Sequence, residues 1–394
     1  MRIKDLQISY LEVPLSEPLS EADSPEPATC YRIFLARIHT DEGMVGNGVQ
    51  HWYFDKVEFP EWGTYVERAY KPYLLDAVVE PSLVERFVDD VRSEAFGTGV
   101  SPRPSCVEMA LWDLVGKEAG KPIHELWGAS QSKVKAYASV LEPYPLWSED
   151  EWVDFVRGIY EEGFRAIKLH IGWKWKDPAK VIDVVAALRD AFGGDLEIMI
   201  DAMQGWSATP LYDLETAIRY ARGLEMHGVR WLEEPLAHFN NPELGARLCN
   251  AVDIDIAGGG AMYGLHTFET VLREGALDIV QPDVQFCGGL LETRRIALLA
   301  ERYGKQCIPH CWGCGHALAA TLQVLATTGI PYLEYPYHPP SWTVEARDCL
   351  LEEPILIDDE GYVEVPQGPG IGVELDEENV RKYLKGKSDE SLRS

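Results

Sequence analysis

From about residue 133 the sequence repeats one pattern, in which a short apolar strand is followed by a helical run and then by the next strand. Eight such strands are predicted, from VKAYASV to PYLEYP, and helical runs such as PAKVIDVVAALRDAF lie between most of them. Strand–helix repetition indicates parallel strands, and eight parallel strands close into a barrel. The sequence therefore predicts an α/β fold, a (β/α) barrel of the modified TIM-barrel type, over residues 131–358.

The residues on either side of this repeat predict a capping domain. Residues 1–50 alternate polar and apolar side chains, which is typical of a small antiparallel sheet, and residues 64–126 carry helical patterns. Residues 1–130 are therefore expected to form an α+β cap. Residues 359–394 are polar and acidic, with one strand-like stretch, GYVEVP, and are expected to pack back on that cap.

Composition narrows the classes of partner. The net charge of −28, from 64 acidic side chains against 36 Lys and Arg, opposes binding to nucleic acid and to anionic membranes. No apolar run approaches the ~18 residues of a membrane span, and the N-terminal stretch lacks a signal-peptide core. Eight thinly spread cysteines do not make a disulfide framework. We expect a cytoplasmic protein, a homo-oligomer, that binds a small molecule.

Polar side chains recur where the predicted strands end, at intervals of about one strand–helix unit. They are Lys168 and His170 on the second strand, Asp201 on the third, Glu233 on the fourth, Asp283 on the sixth, His310 on the seventh and Glu334 on the eighth. The C-terminal ends of barrel strands are where barrel enzymes keep their chemistry. The shared period predicts a single active site there.

Two of these carboxylates predict a metal site. Asp201 and Glu233 are hard oxygen ligands from adjacent strands, which suits Mg²⁺. A metal there would hold a substrate carboxylate and stabilise the enediolate that forms when the α-proton leaves. Asp283 and His310, on neighbouring strands, form a pair in which the carboxylate fixes the imidazole tautomer and raises its basicity.

The remaining three side chains complete a two-sided site. Lys168 and His170 are two residues apart on one strand, so they point the same way. Glu334 is placed to donate or accept a hydrogen bond at the developing negative charge.

The motifs at these positions resemble those of the mandelate racemase subgroup of the enolase superfamily, the mandelate racemase and muconate lactonizing enzyme family. The barrel motifs match in order: AIKLHIG, IDAMQGW, WLEEPL, IAGGGAMYG, DIVQPDVQFCGGL, IPHCWG and LEYP. SCVEMALWDLVGKEAGKPIHELWG resembles the capping-domain signature. The resemblance covers nearly the whole chain. It implies a barrel capped by both termini, proton abstraction next to a carboxylate, and Mg²⁺ as cofactor.

The resemblance also implies a role for each position. Asp201 and Glu233 match the first and second metal ligands, and Asp283 and His310 match an Asp–His dyad. Glu334 matches a hydrogen-bonding acid on the last strand.

Three positions depart from the family pattern. Lys168 matches the first Lys of a Lys-x-Lys motif, but His170 stands where the second, basic Lys is typical. Met203 stands where an Asn often helps to hold substrate, and Gly260 stands where the third metal carboxylate is expected. A two-carboxylate site binds Mg²⁺ more weakly, since affinity follows ligand charge and number.

Three functions remain open from the sequence. The first is an acid-sugar-dehydratase-like lyase that forms a 2-keto-3-deoxy acid, favoured because the resembling family is rich in such enzymes. The second is a racemase or epimerase of a hydroxy acid, in which two bases on opposite faces exchange one proton. The third is a non-catalytic relative with an impaired metal site, to which Gly260 and Met203 point.

Other residues allow further interpretations. HCWGCGH, residues 310–316, contains Cys-x-x-Cys with flanking histidines, which leaves a redox disulfide or a zinc site open. His51 follows the cap hairpin and is a candidate to face the active site. Trp173 and Trp175 follow the Lys–His strand and are candidates to close over substrate or to cover the barrel rim.

Overall fold

The computed structural model describes residues 1–19, 28–51, 61–98, 105–129, 131–141, 147–171, 178–205, 212–236 and 241–387. Its N-terminal elements are β1 (Ile3–Leu19), β2 (Ala28–Thr40), β3 (Val45–His51), α1 (Glu61–Leu74), α2 (Pro81–Thr98), α3 (Ser105–Ala119) and α4 (Ile123–Leu126). The strand–helix repeat begins with β4 (Lys133–Val140), α5 (Glu149–Glu161), β5 (Ala166–His170), α6 (Ala179–Phe192), β6 (Glu197–Asp201), α7 (Leu214–Glu225), β7 (Trp231–Glu233) and α8 (Pro242–Cys249).

The second half of the chain continues the repeat and then returns to the N-terminal sheet. It contains β8 (Asp255–Gly258), α9 (Leu265–Glu274), β9 (Ile279–Val280), α10 (Leu290–Arg302), β10 (Gln306–Cys307), α11 (Gly315–Thr328), β11 (Tyr332–Pro336) and α12 (Val344–Arg347). The last elements are β12 (Tyr362–Glu364), α13 (Glu377–Tyr383) and β13 (Leu384–Lys387). The helices and strands predicted from periodicity are present.

The strands of the repeat form one curved parallel sheet. In the described residues the order is β10-β9-β8-β7-β6-β5-β4-β11, and every neighbouring pair is parallel. The last strand, β11, pairs with the first, β4, so the sheet curls back on itself. Strands buried on both faces read as continuous apolar runs, and all five residues of β5 are buried. This confirms the predicted α/β barrel.

The N-terminal strands form a separate antiparallel sheet in the order β13-β1-β2-β3. β13 pairs with β1, with Tyr10 opposite Gly386, so the end of the described chain returns to the first sheet. β12 instead runs antiparallel to β4 of the barrel. The domain limits at residues 130 and 358 stay a prediction. Among the helices that the structure describes, none is long and apolar enough to cross a membrane.

Helix α3 joins the sheet of the cap to the barrel. It is buried on all sides from Ser105 to Gly116, as expected of a helix that is apolar around most of its circumference. Glu108 on this helix accepts hydrogen bonds from the backbone N–H groups of Leu290 (2.8 Å) and Leu291 (2.9 Å), at the start of α10. These bonds satisfy N–H groups that a helix leaves unpaired in its first turn.

The approach of α3 to β3 depends on glycine. A Cβ added at Gly48 would overlap the backbone carbonyl oxygen of Cys106 and crowd the backbone of Ala110. Gly48→Ala is therefore expected to lower the free energy of unfolding by about 1–3 kcal/mol, because backbone cannot move aside as a flexible side chain does. Thermal and chemical denaturation would measure the loss.

Gly158 provides the matched control. It is exposed within α5, and an added Cβ there meets nothing within 4 Å. Gly158→Ala is expected to raise the free energy of unfolding by about 0.5–1 kcal/mol, because Gly is a poor helix former. Equal effects of the two substitutions would contradict the close approach of α3 to β3.

Candidate active site

Three neighbouring strands end in candidate side chains. β5 ends at His170, β6 at Asp201 and β7 at Glu233. The strand register pairs His170 with Asp201 and Asp201 with Glu233, so the three residues form a row across the sheet. Parallel strands present their C-terminal ends on the same rim of the barrel. The three side chains are therefore brought to one place.

The other candidates lie near the same rim at different heights. Asp283 and His310 follow the ends of β9 and β10, at Val280 and Cys307, in the connecting segments. Glu334 was expected to end the eighth strand, but it is the central residue of β11, which continues to Pro336. Its side chain is therefore deeper in the barrel than the strand-end prediction implied.

Lys168 is fully buried between two carboxylates. Its Nζ lies 2.9 Å from both Oε1 and Oε2 of Glu233 and 2.7 Å from Oε1 of Glu334. Burial lowers the pKa of Lys168, but the two carboxylates outweigh burial and raise it above its usual range. Burial raises the pKa of Glu334, but Lys168 and His310 hold it well below the usual range. The site thus contains an ammonium between carboxylates.

Glu334 is held in place by further donors. Ser139 Oγ donates to its Oε1 at 2.7 Å, and the backbone N–H of Cys311 donates to its Oε2 at 2.7 Å. With Lys168 also on Oε1, both oxygens have partners. Glu334 is therefore fixed as an ionised acceptor.

His170 has one ring nitrogen fixed by the backbone. Its Nδ1 lies 2.8 Å from the carbonyl oxygen of Val140. A carbonyl oxygen can only accept, so Nδ1 carries a proton, and Nε2 is the nitrogen that is left for proton transfer. Nε2 lies 3.2 Å from Oδ2 of Asp201. The strand that carries His170 thus turns its reactive nitrogen toward the first predicted metal ligand.

Asp201 is oriented by its own loop. The backbone N–H of Met203 donates to Oδ1 of Asp201 at 2.7 Å, and Met203 has a left-handed backbone with φ of 56°. Burial raises the pKa of Asp201, but His170 and Lys168 outweigh burial and lower it. The side chain of Met203 lacks the amide of an Asn, but its backbone N–H holds Asp201.

The structure places Asp283 and His310 in direct contact. His310 Nδ1 lies 2.7 Å from Asp283 Oδ2, and the backbone N–H of Gln285 donates to Asp283 Oδ1 at 2.6 Å. Burial lowers the pKa of His310, but Glu334 and Asp283 outweigh burial and raise it to about 9. His310 is therefore an imidazolium at neutral pH, with its proton donor strength set by two carboxylates.

The side chain of Gln285 links the cap to this dyad. The backbone N–H of His51, at the end of β3, donates to Gln285 Oε1 at 2.9 Å. Gln285 Nε2 in turn donates to the carbonyl oxygen of Trp312 at 3.1 Å. His51 is buried, and its ring centroid lies 3.9 Å from that of Tyr31. His51 thus lies beside the site, as an element of the cap–barrel contact. Trp173 and Trp175 lie outside the described residues.

Glu234 was missed by the sequence analysis. It is buried, its Oε1 accepts from the backbone N–H of Gly259 at 3.1 Å, and its Oε2 has no hydrogen-bond partner among the described residues. Burial, Asp201 and Glu233 raise its pKa to about 8. The signal was the second acid of WLEEPL, but adjacent strand residues normally point to opposite faces. A left-handed backbone at Glu234, with φ of 43°, breaks that alternation.

The carboxylates at this rim are chemically suited to a hard divalent cation, although their side chains are not grouped closely around a common point. Within the described ranges, no three His, Cys, Asp or Glu side chains are close enough to enclose an ion. Gly260 is buried and brings no ligand. Asp201 and Glu233 are register partners, and the buried Oε2 of Glu234 lacks a partner. Carboxylate oxygens are what Mg²⁺ prefers, so these residues fit Mg²⁺.

The Cys-x-x-Cys motif has a structural environment. Cys311 and Cys314 are free and buried, and burial raises the pKa of Cys311 well above its usual range and that of Cys314 to about 11. Thiolate is the form that binds zinc and exchanges disulfides. Burial also lowers the pKa of His316 to about 3. These surroundings disfavour the redox and zinc interpretations.

Known proteins resemble this chain in sequence and in fold. A family model described as Enolase C-terminal domain-like matches residues 151–379. Arabinonate dehydratase of Saccharolobus solfataricus is 31% identical over 361 residues, 89% of this chain and 90% of that protein. D-galactarolactone cycloisomerase of Agrobacterium fabrum is 33% identical over 288 residues, which cover 71% of this chain and 73% of that protein. A solved structure of L-talarate dehydratase from Polaromonas sp. JS666, complexed with Mg and L-glucarate, matches with a TM-score of 0.82, 27% identity and 98% coverage of both chains.

The buried ion pairs of Lys168 generate a stability prediction. Lys168→Met leaves Glu233 and Glu334 without their shared cation, and removing one partner of a buried pair typically costs about 3–5 kcal/mol. We expect a loss of that size in the free energy of unfolding at pH 7–8, measured without added metal. The difference in the free energy of unfolding between wild type and variant should become smaller in acid. Below the ordinary Glu pKa of about 4.3 the wild type progressively loses the contribution of ionised Glu334, while the variant's carboxylates are already protonated.

Lys135→Met is the control for this experiment. Lys135 Nζ also pairs with a Glu, lying 2.6 Å from Oε1 of Glu197, but both side chains are partly exposed. Partly exposed pairs contribute about 0–1 kcal/mol. If Lys168→Met cost no more than Lys135→Met, the buried charge balance described for the site would be incorrect.

Proposed function

The chain belongs to the enolase superfamily, in its mandelate racemase branch, and on that premise we propose that it is a Mg²⁺-dependent lyase that dehydrates an acid sugar. The product is a 2-keto-3-deoxy acid. The observation that carries the proposal is the pair of histidines on two sides of one buried cation–carboxylate cluster. His170 lies on β5, with Nε2 3.2 Å from Asp201, and His310 lies beyond β10, with Nδ1 2.7 Å from Asp283. Dehydration needs a base for the α-proton and an acid for the departing hydroxyl, and this site holds two such groups.

The metal would be held by Asp201 and Glu233. When bound, Mg²⁺ supplies positive charge that holds the substrate carboxylate and stabilises the enediolate. The Lys168 ammonium adds positive charge from the β5 side, in a site from which water is largely excluded by burial. Glu233 and Glu334 outnumber Lys168, so a bound cation would offset negative charge that otherwise opposes an anionic substrate.

The two histidines take different parts in this proposal. His170 Nε2 removes the α-proton, because Nδ1 is committed to Val140. His310, with its pKa raised to about 9, enters the reaction as imidazolium and gives its proton to the leaving β-hydroxyl. The α C–H bond and the β C–O bond break, a C=C bond forms, water leaves, and the enol becomes the 2-keto acid. Asp283 holds the His310 ring and compensates its charge.

The setting of the reaction is also a proposal. The eight cysteines are all free in the structure, which fits a reducing compartment such as the cytoplasm. The substrate is a small carboxylate, and the working form is a homo-oligomer. Relatives of this chain, among them arabinonate dehydratase, are named for acid sugars, and this supports the substrate class.

The test is a screen of five- and six-carbon aldonates and aldarates with Mg²⁺, read out as 2-keto acid formed. We expect at least one substrate to give 2-keto acid and water, with activity lost on chelation of the metal. A galactarolactone and a set of hydroxy acids belong in the same screen. Epimerised acid without dehydration would favour the racemase or epimerase instead, and lactone isomerisation would favour a cycloisomerase.

The same screen decides whether the site works at all. His310→Asn is the inactive reference, since the amide cannot deliver a proton yet is close in shape to part of the imidazole. If the wild type turned over no acid sugar beyond that variant and bound no Mg²⁺, the protein would be a non-catalytic relative.

A further inference from the structure

We propose that Glu234 supplies the third carboxylate of the magnesium site, in place of the side chain that Gly260 lacks. The inference rests on the proposed function, because it concerns the same metal. It differs from the two-carboxylate site that Gly260 implies from the sequence. Here the ligand comes from β7 instead of from the turn after β8.

The backbone of Glu234 lies between β8 and the end of β6. Its N–H donates to the carbonyl oxygen of Ala257 on β8 at 2.9 Å, and its carbonyl accepts from the N–H of Gln204, just beyond β6, at 2.9 Å. Asp201 ends β6, and Gly260 follows β8. Glu234 is therefore fixed midway between the first predicted ligand and the missing one.

The side chain of Glu234 reaches toward the missing ligand's position. Its Oε1 accepts from the N–H of Gly259, the residue directly before Gly260. The left-handed backbone at Glu234 is what brings this side chain to the rim next to Glu233 rather than to the outside of the barrel. The carboxylate thus lies at the turn from which a side chain at position 260 would have started.

The second oxygen of Glu234 is the one available to an ion. Oε2 is buried and has no hydrogen-bond partner among the described residues. Buried carboxylate oxygens are normally paired, because leaving one unpaired forfeits its solvation without return. Glu233 is its chain neighbour, and Asp201 pairs with Glu233 in the strand register, so the three carboxylates belong to adjacent positions on one rim. A divalent cation held with Asp201 and Glu233 is a partner that would satisfy this oxygen.

Gly205 leaves the room that this oxygen needs. A Cβ added at Gly205 would overlap Oε2 of Glu234. Gly205 belongs to the same loop as Met203, whose N–H orients Asp201. The loop after β6 therefore orients one carboxylate and makes space for another.

The experiment is titration calorimetry of the purified protein with Mg²⁺, with Mn²⁺ titrations followed by electron paramagnetic resonance as a second count of bound metal. Glu234→Gln keeps an oxygen for the N–H of Gly259 but removes the charge, and we expect the Kd for the metal to rise about tenfold or more. Adding Gly260→Glu to that variant returns a carboxylate from β8, and we expect it to restore most of the affinity.

Glu108→Gln is the matched control. Glu108 is also buried, burial raises its pKa to about 8, and it serves the backbone of α10 rather than the rim. We expect its Kd for Mg²⁺ to equal that of the wild type. Gly205→Ala is a second probe, which displaces Oε2 while keeping the charge, and it too should weaken binding. It also replaces Glu234→Gln if that variant does not fold.

The outcomes separate this inference from the proposed function. An unchanged Kd in folded Glu234→Gln or Gly205→Ala, or an equal change in Glu108→Gln, overturns the role of Glu234 even if the wild type dehydrates acid sugars. A Kd that responds as expected in a protein that turns over no acid sugar supports the ligand and contradicts the lyase. A wild type that binds neither metal overturns the inference outright.

Discussion

The buried ammonium of Lys168 is the interaction on which the site depends. Counting along the sheet, Glu233 lies two strands to one side of β5 and Glu334 two strands to the other, so one side chain ties three strands across the barrel lumen. Charges removed from water are tolerated only when paired and hydrogen-bonded. The partners of Glu334, Ser139 and Cys311, and the partner of Glu233, Gln281, meet that condition. The barrel interior is therefore polar where Lys168, Glu233 and Glu334 meet.

That charge balance shapes both histidines. Glu334 raises the proton affinity of His310, and His310 in turn helps to keep Glu334 ionised. On the other side, Asp201 lies next to His170 and close enough to Lys168 to be held ionised by both. Two imidazoles thus contact one cluster through different neighbours, as the proposed division into one base and one acid requires. The cap joins the same network through Gln285, whose side chain binds β3 and whose backbone binds Asp283.

The strand–helix periodicity of the sequence predicted which side chains meet at one rim of the barrel. The spacing of Lys168, Asp201 and Glu233 follows the strand–helix unit, so their meeting at one rim was readable from the sequence. Glu334 was assigned the right strand but the wrong height, because the residue at which a strand ends depends on hydrogen bonds to its neighbours. The role of the Met203 backbone, in contrast, depends on a left-handed conformation that no spacing rule contains.

Local sequence patterns also could not predict side-chain orientations and contacts that depend on the folded backbone. Alternation along a strand predicts that Glu234 points away from Glu233, so the sequence pattern did not predict it as a site residue. The link from His51 to Gln285 joins residues 234 positions apart, and nothing local to either one announces it. The spacing of the Cys-x-x-Cys motif left a redox disulfide or a zinc site open, whereas the burial of Cys311 and Cys314 disfavours both.

The division of labour between the two histidines is the central claim, and exchange of the substrate α-proton in deuterated water tests it most directly. With an acid sugar that the wild type dehydrates, proton NMR follows both deuterium entry at the α-carbon and loss of substrate. His310→Asn should still exchange the α-proton, because His170 removes it, but should form no 2-keto acid. His170→Asn should do neither. Exchange that survives in His170→Asn and stops in His310→Asn would contradict the account.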